Sequence, residues 1–149
     1  MRELSYKIII EEELRSINDW KFAIHQAESE LETLDAEYTA IKATSYDKMP
    51  TATGENIQEE KLVSTITKKD QKLAELAYNR KRVADLERLI EQLPDDERRV
   101  IERMVINKEK YALDSLTEEL GYEQAQIYRI KARAMRTMAK LRHGAVYHE

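Results

Sequence analysis

The sequence predicts an all-α protein, and three observations carry that prediction. Glycine and proline number only 3 and 2 in 149 residues, too few for the turns that a β-sandwich or an α/β sheet requires. Charged residues make up 36% and aromatic residues 7%, a balance that suits amphipathic helices better than half-buried strands. Apolar residues recur at steps of three and four over two long stretches, the spacing of one helix face.

The first stretch runs from about Leu4 to Ala43 without a glycine or proline. Ile17, Ile24, Leu31 and Tyr38 share one seam position of a heptad, with Trp20, Ala27, Leu34 and Ile41 three residues after each. The other faces carry Glu28, Glu30, Glu32, Asp35 and Glu37, as a solvated or pairing surface does. Asp47, Pro50, Gly54 and Asn56 then gather turn formers, which predicts a loop over about residues 44–56. A second helix follows from about Ile57, with Leu62, Ile66, Leu73, Leu76, Val83, Leu86, Ile90 and Leu93 at helical steps.

Two long helices joined by a short connection pack most simply as an antiparallel hairpin, here residues 1–93. Such a hairpin is too slender to bury a good core alone. A dimer or a larger bundle is therefore expected, with Ile17, Trp20, Ile24, Leu31 and Leu34 as its oligomerisation seam.

Pro94 stops the second helix or opens the next one, and Asp95, Asp96 and Glu97 behind it suit a helix N-terminus. From here, over residues 94–149, the pattern shortens. Val100, Ile101, Met104 and Val105 predict a third helix, NKEKYA a connection, and Leu113, Leu116 and Leu120 a short helix ended by Gly121. Residues 123–142 predict a fifth helix, in which Ile127, Ile130, Ala134, Met138 and Leu141 recur at three and four. The closing HGAVYHE is expected to fray.

Several function classes drop away. The chain has no cysteine, which removes disulfides, thiolate zinc sites and thiol nucleophiles. His25, His143 and His148 lack partners at ligand spacing, so no metal or other cofactor is expected. Neither a glycine-rich phosphate loop nor a serine nucleophile motif is present, and adjacent acids such as Asp95 and Asp96 point about 100° apart on a helix, so an enzyme is not expected. The N-terminal run of Ile8, Ile9 and Ile10 meets Glu11, Glu12 and Glu13 at once. That is neither a signal peptide nor a membrane span, and the expectation is a cytoplasmic, soluble protein.

One contrast points to a partner. The formal net charge is −4, yet the fifth helix bunches Arg129, Lys131, Arg133, Arg136, Lys140 and Arg142 behind a single acid, Glu123. A short helix, a glycine turn and a second helix with an apolar stripe and cations elsewhere form the signature of a helix-turn-helix. Leu116, Leu120, Gly121, Ile127 and Ile130 are its expected core. Gln124, Ala125, Tyr128 and Arg129 lie together at the start of the second helix, opposite the isoleucine stripe, and are the candidate base readers in duplex DNA. Lys131, Arg133, Arg136 and Lys140 extend along the same helix as candidate phosphate contacts.

Residues 93–142, from LPDDERRVIERM to RIKARAMRTMAKLR, resemble region 4 of bacterial sigma factors and related sigma-like regulators. Leu93, Pro94, Glu97, Arg98, Val100, Leu113, Leu116, Leu120, Gly121, Ile127, Ile130, Ala132, Arg133 and Ala134 carry the likeness. An acidic helical hairpin stands where a full sigma factor has its aromatic, basic promoter-melting region. The whole is similar to small phage and prophage regulators of the ArpU/RinA type. The resemblance implies a sequence-specific transcriptional regulator, an activator of late genes, with RNA polymerase as a further partner. Where that family usually has Ser or Thr at the start of the reading helix, this chain has Glu123, and its Gln124, Ala125, Gln126 and Tyr128 replace charged base readers. Two rival expectations stand beside it: a DNA-packaging component like a small terminase subunit, and a region 4 mimic that occupies polymerase without touching DNA.

Overall fold

A computed structural model of the chain describes residues 2–47 and 52–144, with side chains over 6–44 and 57–144. The described residues are helix and turn, with no strand among them, so the protein is all-α. The helices are α1 (Arg2–Asp47), α2 (Ala52–Glu91), α3 (Asp95–Val100), α4 (Ala112–Leu120) and α5 (Gln124–His143), with a π-helical turn (Ile101–Ile106) between α3 and α4.

The break between the long helices is narrower than the turn formers suggest. Residues 44–47 complete α1, and 52–56, with Gly54 and Asn56, begin α2. Near a helix end the backbone N–H and C=O groups already lack intrahelical partners, so a poor helix former costs less there than the roughly 1 kcal/mol of an interior glycine. The rest of the expected loop, including Pro50, lies outside the described residues. So does the tail beyond Gly144, while His143 belongs to α5.

By contact the chain divides into two compact units, Met1–Trp20 with Arg82–Glu149, and Lys21–Lys81. This division differs from the composition break at Pro94. The first stretch of α1 meets α5 through the Glu11–Lys131 and Glu13–Arg142 pairs, and Ile10, Leu14 and Ile17 are buried in this unit, as are Val83, Leu86, Ile90 and Leu93. The Trp20 ring lies under the Arg82 guanidinium at 3.9 Å, a cation–π contact. Asn18 donates to the Ile106 carbonyl and to the Asn107 side chain at 3.4 and 3.2 Å, which fastens α1 to the end of the π turn.

In the second unit, Glu28, Glu30 and Asp35 pair with Arg80, Lys72 and Lys69 at 2.9, 2.7 and 2.6 Å. Positions climb on α1 as they fall on α2. The seam of α1 follows the heptad read from the sequence, with Ala27 and Leu34 buried and Ile24, Leu31, Tyr38 and Ile41 half-buried. The α2 side of this unit matches the expected stripe only in part. Thr65, Leu76 and Asn79 are its buried positions, and Leu62, Lys69 and Lys72 are half-buried. Ile66 and Leu73, expected in this stripe, are exposed. Lysine stems cover apolar surface while their ammonium groups reach the acids of α1, and the Lys69 head also sits 4.9 Å from the Tyr38 ring.

The residues expected to join two copies are thus largely occupied within one chain. Ile17 and Leu34 are buried, and Trp20, Ile24 and Leu31 are half-buried.

Candidate nucleic-acid interface

All of the C-terminal site residues belong to the first unit. Pro94 precedes α3 with an extended backbone, and its carbonyl accepts from the Arg98 N–H at 2.9 Å, so the proline ends one helix and starts the next. The third helix foreseen from Val100 to Val105 divides into α3 and the π turn. There the Asn107 N–H reaches back five residues to the Glu102 carbonyl at 2.9 Å. The wider winding keeps Val100, Ile101 and Val105 all buried. Lys108 and Tyr111 then take positive φ values of 46° and 66°, a costly conformation for residues with a Cβ. They close the connection into α4.

Val100, Leu116, Ile127 and Ile130 form one fully buried cluster, with Met104, Leu113 and Leu120 packed against it. Gly121 ends α4 in the left-handed region, φ 72° and ψ 24°, and its N–H bonds the Thr117 carbonyl at 3.0 Å. Nothing lies within 4 Å of a Cβ added there, so backbone conformation alone selects glycine. Four of the five expected core residues, Leu116, Leu120, Ile127 and Ile130, lie in this cluster or against it, while Gly121 is exposed and serves to end α4. Glu123 precedes α5 without a side-chain cap, while its carbonyl accepts from the N–H groups of Gln126 and Ile127 at 3.0 and 3.1 Å.

With Ile127 and Ile130 turned inward, Gln124, Ala125, Tyr128 and Arg129 are all exposed at the start of α5. Tyr122 beside them is exposed too. The Arg129 guanidinium donates to the Gln126 side-chain oxygen at 3.5 Å, and the residue is exposed. Such exposure is what a bidentate base reader needs.

Further along, Arg133, Arg136, Lys140 and Arg142 are exposed and Lys131 is half-buried. Arg133 holds Glu97 at 2.6 Å and Asp96 at 3.1 Å, and Glu97 is 2% exposed. The bond to Glu97 raises the guanidinium's pKa above its ordinary value, so Arg133 keeps its charge throughout the physiological range. Lys131 lies 3.7 Å from Glu11 of α1, and Arg142 lies 3.1 Å from Glu13. The structure thus gives Lys131 and Arg133, expected on phosphates, carboxylate partners within the unit.

A second network was not foreseen from the sequence. Arg99 pairs with Asp95 and Glu119 at 3.1 and 2.9 Å, and Arg103 with Glu109 at 2.9 Å and also with Glu119. It ties α3 and the π turn to the end of α4. At the far end of α5, His143 stacks on Tyr6 with ring centroids 4.1 Å apart. Burial, then the Arg142 charge, push its pKa below the ordinary value against a smaller opposing pull from Glu13.

Among the described residues no group of three His, Asp or Glu is placed to hold a metal ion. No described helix is long and apolar enough to cross a membrane. Comparison with protein-family models, with curated proteins and with solved structures finds no significant match.

Proposed function

We propose that the chain is a sequence-specific, DNA-binding transcriptional regulator, in which α4 and α5 act as a helix-turn-helix and α1 and α2 pair antiparallel as a hairpin. The observation that carries this reading is the exposed set Gln124, Ala125, Tyr128 and Arg129, backed by the buried Val100, Leu116, Ile127 and Ile130 cluster. A rigid base beneath a polar, cation-bearing helix start is what entry into a major groove demands. In the groove, Gln124 pairs with adenine, Arg129 with guanine, and the Ala125 methyl meets thymine. The likeness of residues 93–142 to sigma region 4 points the same way and favours an activator.

The phosphate contacts are the exposed Arg136 and Lys140. Each neutralised phosphate contributes about −0.9 to the slope of log K against log salt. One head with two such contacts then gives roughly −2, shallower than if Lys131 and Arg133 also left their carboxylates for DNA.

The test is selection of randomised duplex DNA by the purified protein at about 150 mM salt, where non-specific binding is partly suppressed. A recovered motif whose preference relaxes in Arg129→Ala, while Arg136→Ala weakens binding to all sequences, supports the reading. No enrichment, or equal effects of both changes on every sequence, overturns it.

A further inference from the structure

The second unit leaves an apolar stripe of α2 outside its seam. Val63, Ile66 and Leu73 are 62%, 40% and 49% exposed, and Asp70 and Ala77 between and beyond them are exposed as well. Positions 63, 66, 70, 73 and 77 step by three and four, so they line one helix face. That face lies beside the one formed by Thr65, Lys69, Lys72, Leu76 and Asn79, which is buried or half-buried. The helix therefore carries two heptad stripes, and folding of the single chain uses one. An apolar row of this length on a charged helix is the usual mark of a protein-binding surface.

The charges at its ends choose the occupant. The stripe begins at Glu59 and Glu60 and ends at Lys81, all exposed. Reversed end for end, it is complementary to itself: acid meets base at both ends, and the Val63, Ile66, Leu73 and Ala77 row meets its own copy. A partner related by a two-fold axis presents this pattern by construction, since in an isologous contact each residue pair occurs twice. We propose that two copies of the chain associate antiparallel through this face of α2, with Asp70 near the two-fold axis. Asp70 is the one unfavourable element, because it brings two carboxylates close together; it disfavours tighter or shifted pairings. The proposal goes beyond the DNA-binding reading and does not depend on it. It also moves self-association from the α1 seam, which the chain already fills, to a face that remains open.

Sedimentation of the full chain tests it. The natural 17.5 kDa chain is expected to sediment at twice that mass, and Ile66→Glu with Leu73→Glu at the single mass with unchanged helical circular dichroism. Glu59→Lys and Lys81→Glu are each expected to weaken the dimer, and their combination to restore it. Asp70→Asn is expected to tighten it.

Orientation is read separately. The chain lacks cysteine, so Asp70→Cys is expected to cross-link with a short bis-maleimide. Glu59→Cys is not, because in an antiparallel pair that position lies about 30 Å from its mate at 1.5 Å rise per residue. A monomeric natural chain, a dimer that survives the double glutamate change, or cross-linking of Glu59→Cys but not Asp70→Cys overturns the proposal. Loss of DNA selection with this dimer intact would count against the DNA reading alone.

Discussion

The two compact units share two long helices yet bury different things. Along residues 10–17 and 83–93 the buried positions are Ile10, Leu14, Ile17, Val83, Leu86, Ile90 and Leu93, all apolar. Among the described residues of 21–81 the buried positions are Ala27, Leu34, Thr65, Leu76 and Asn79, flanked by the stems of Lys69 and Lys72. Heptad spacing is kept in both, but hydrophobic stabilisation scales with apolar area removed from water. The first unit therefore supplies most of the stability. The second depends on ion pairs with at least one largely exposed partner, which contribute little each but fix the register of the pairing.

The largest effect that sharpens this contrast comes from Ile130→Ala. Ile130 is fully buried against Val100, Leu116 and Ile127, and a truncation of this kind costs about 2–5 kcal/mol through lost burial and the cavity left behind. Denaturant unfolding checks it. Hydrogen exchange locates the difference: amides of residues 57–81 are expected to exchange well before those of α5, since locally weaker packing opens first. If both segments exchange together, the two units form one cooperative block and the contrast fails.

Next comes Arg133→Ala. It leaves Glu97, which is 2% exposed, without its guanidinium. Because Arg133 is half exposed and solvent compensates in part, the expected loss is about 1–3 kcal/mol. Double-mutant analysis with Glu97→Gln checks that the pair is coupled; additive losses would show that Arg133 acts elsewhere, on DNA for example.

This pair also shows where sequence reading stops. The two long helices, α4 and α5, the Pro94 and Gly121 boundaries, the α1 heptad and the Leu116, Ile127 and Ile130 core were legible, because each rests on spacing or on a local backbone preference, whereas the helical ends at 44–47 and 52–56 and the π turn after α3 were not. The partner of Arg133 is 36 residues away, and no periodicity connects them. The α2 stripe differs from its hydropathy pattern for a related reason. Ile66 and Leu73 fit steps of three and four as well as Thr65 and Lys72 do, and when a helix has apolar residues on two faces, hydropathy does not say which face turns inward.

A smaller effect concerns His143 in the first unit. Its folded pKa is lowered, first by burial and then by Arg142, so the folded state binds a proton less readily than the unfolded chain. The stability tied to the neutral ring is complete above the unfolded value of about 6.5 and is lost as pH falls through the lower folded value. The drop in Tm between pH 7.5 and 5.5 is expected to be smaller in His143→Gln than in the natural chain. An equal drop in both would place the acid sensitivity elsewhere.

The smallest change tests the second unit on its own terms. Asn79 is 4% exposed in the seam of α2, where an apolar residue would bury more area but say less about register. A buried asparagine in a heptad seam trades stability for a unique alignment. Asn79→Leu is therefore expected to raise the stability of this unit by about 1 kcal/mol, seen as slower amide exchange over residues 57–81. The same variant is expected to loosen alignment, because a more apolar seam tolerates slippage that a buried amide resists. Its readout is the Asp35–Lys69 pair: in the natural register Asp35→Lys with Lys69→Asp restores what either change alone removes. In the leucine background that rescue is expected to fade. If it persists undiminished, the register is held by the ion pairs and helix ends, and Asn79 only lowers the stability of a seam already aligned.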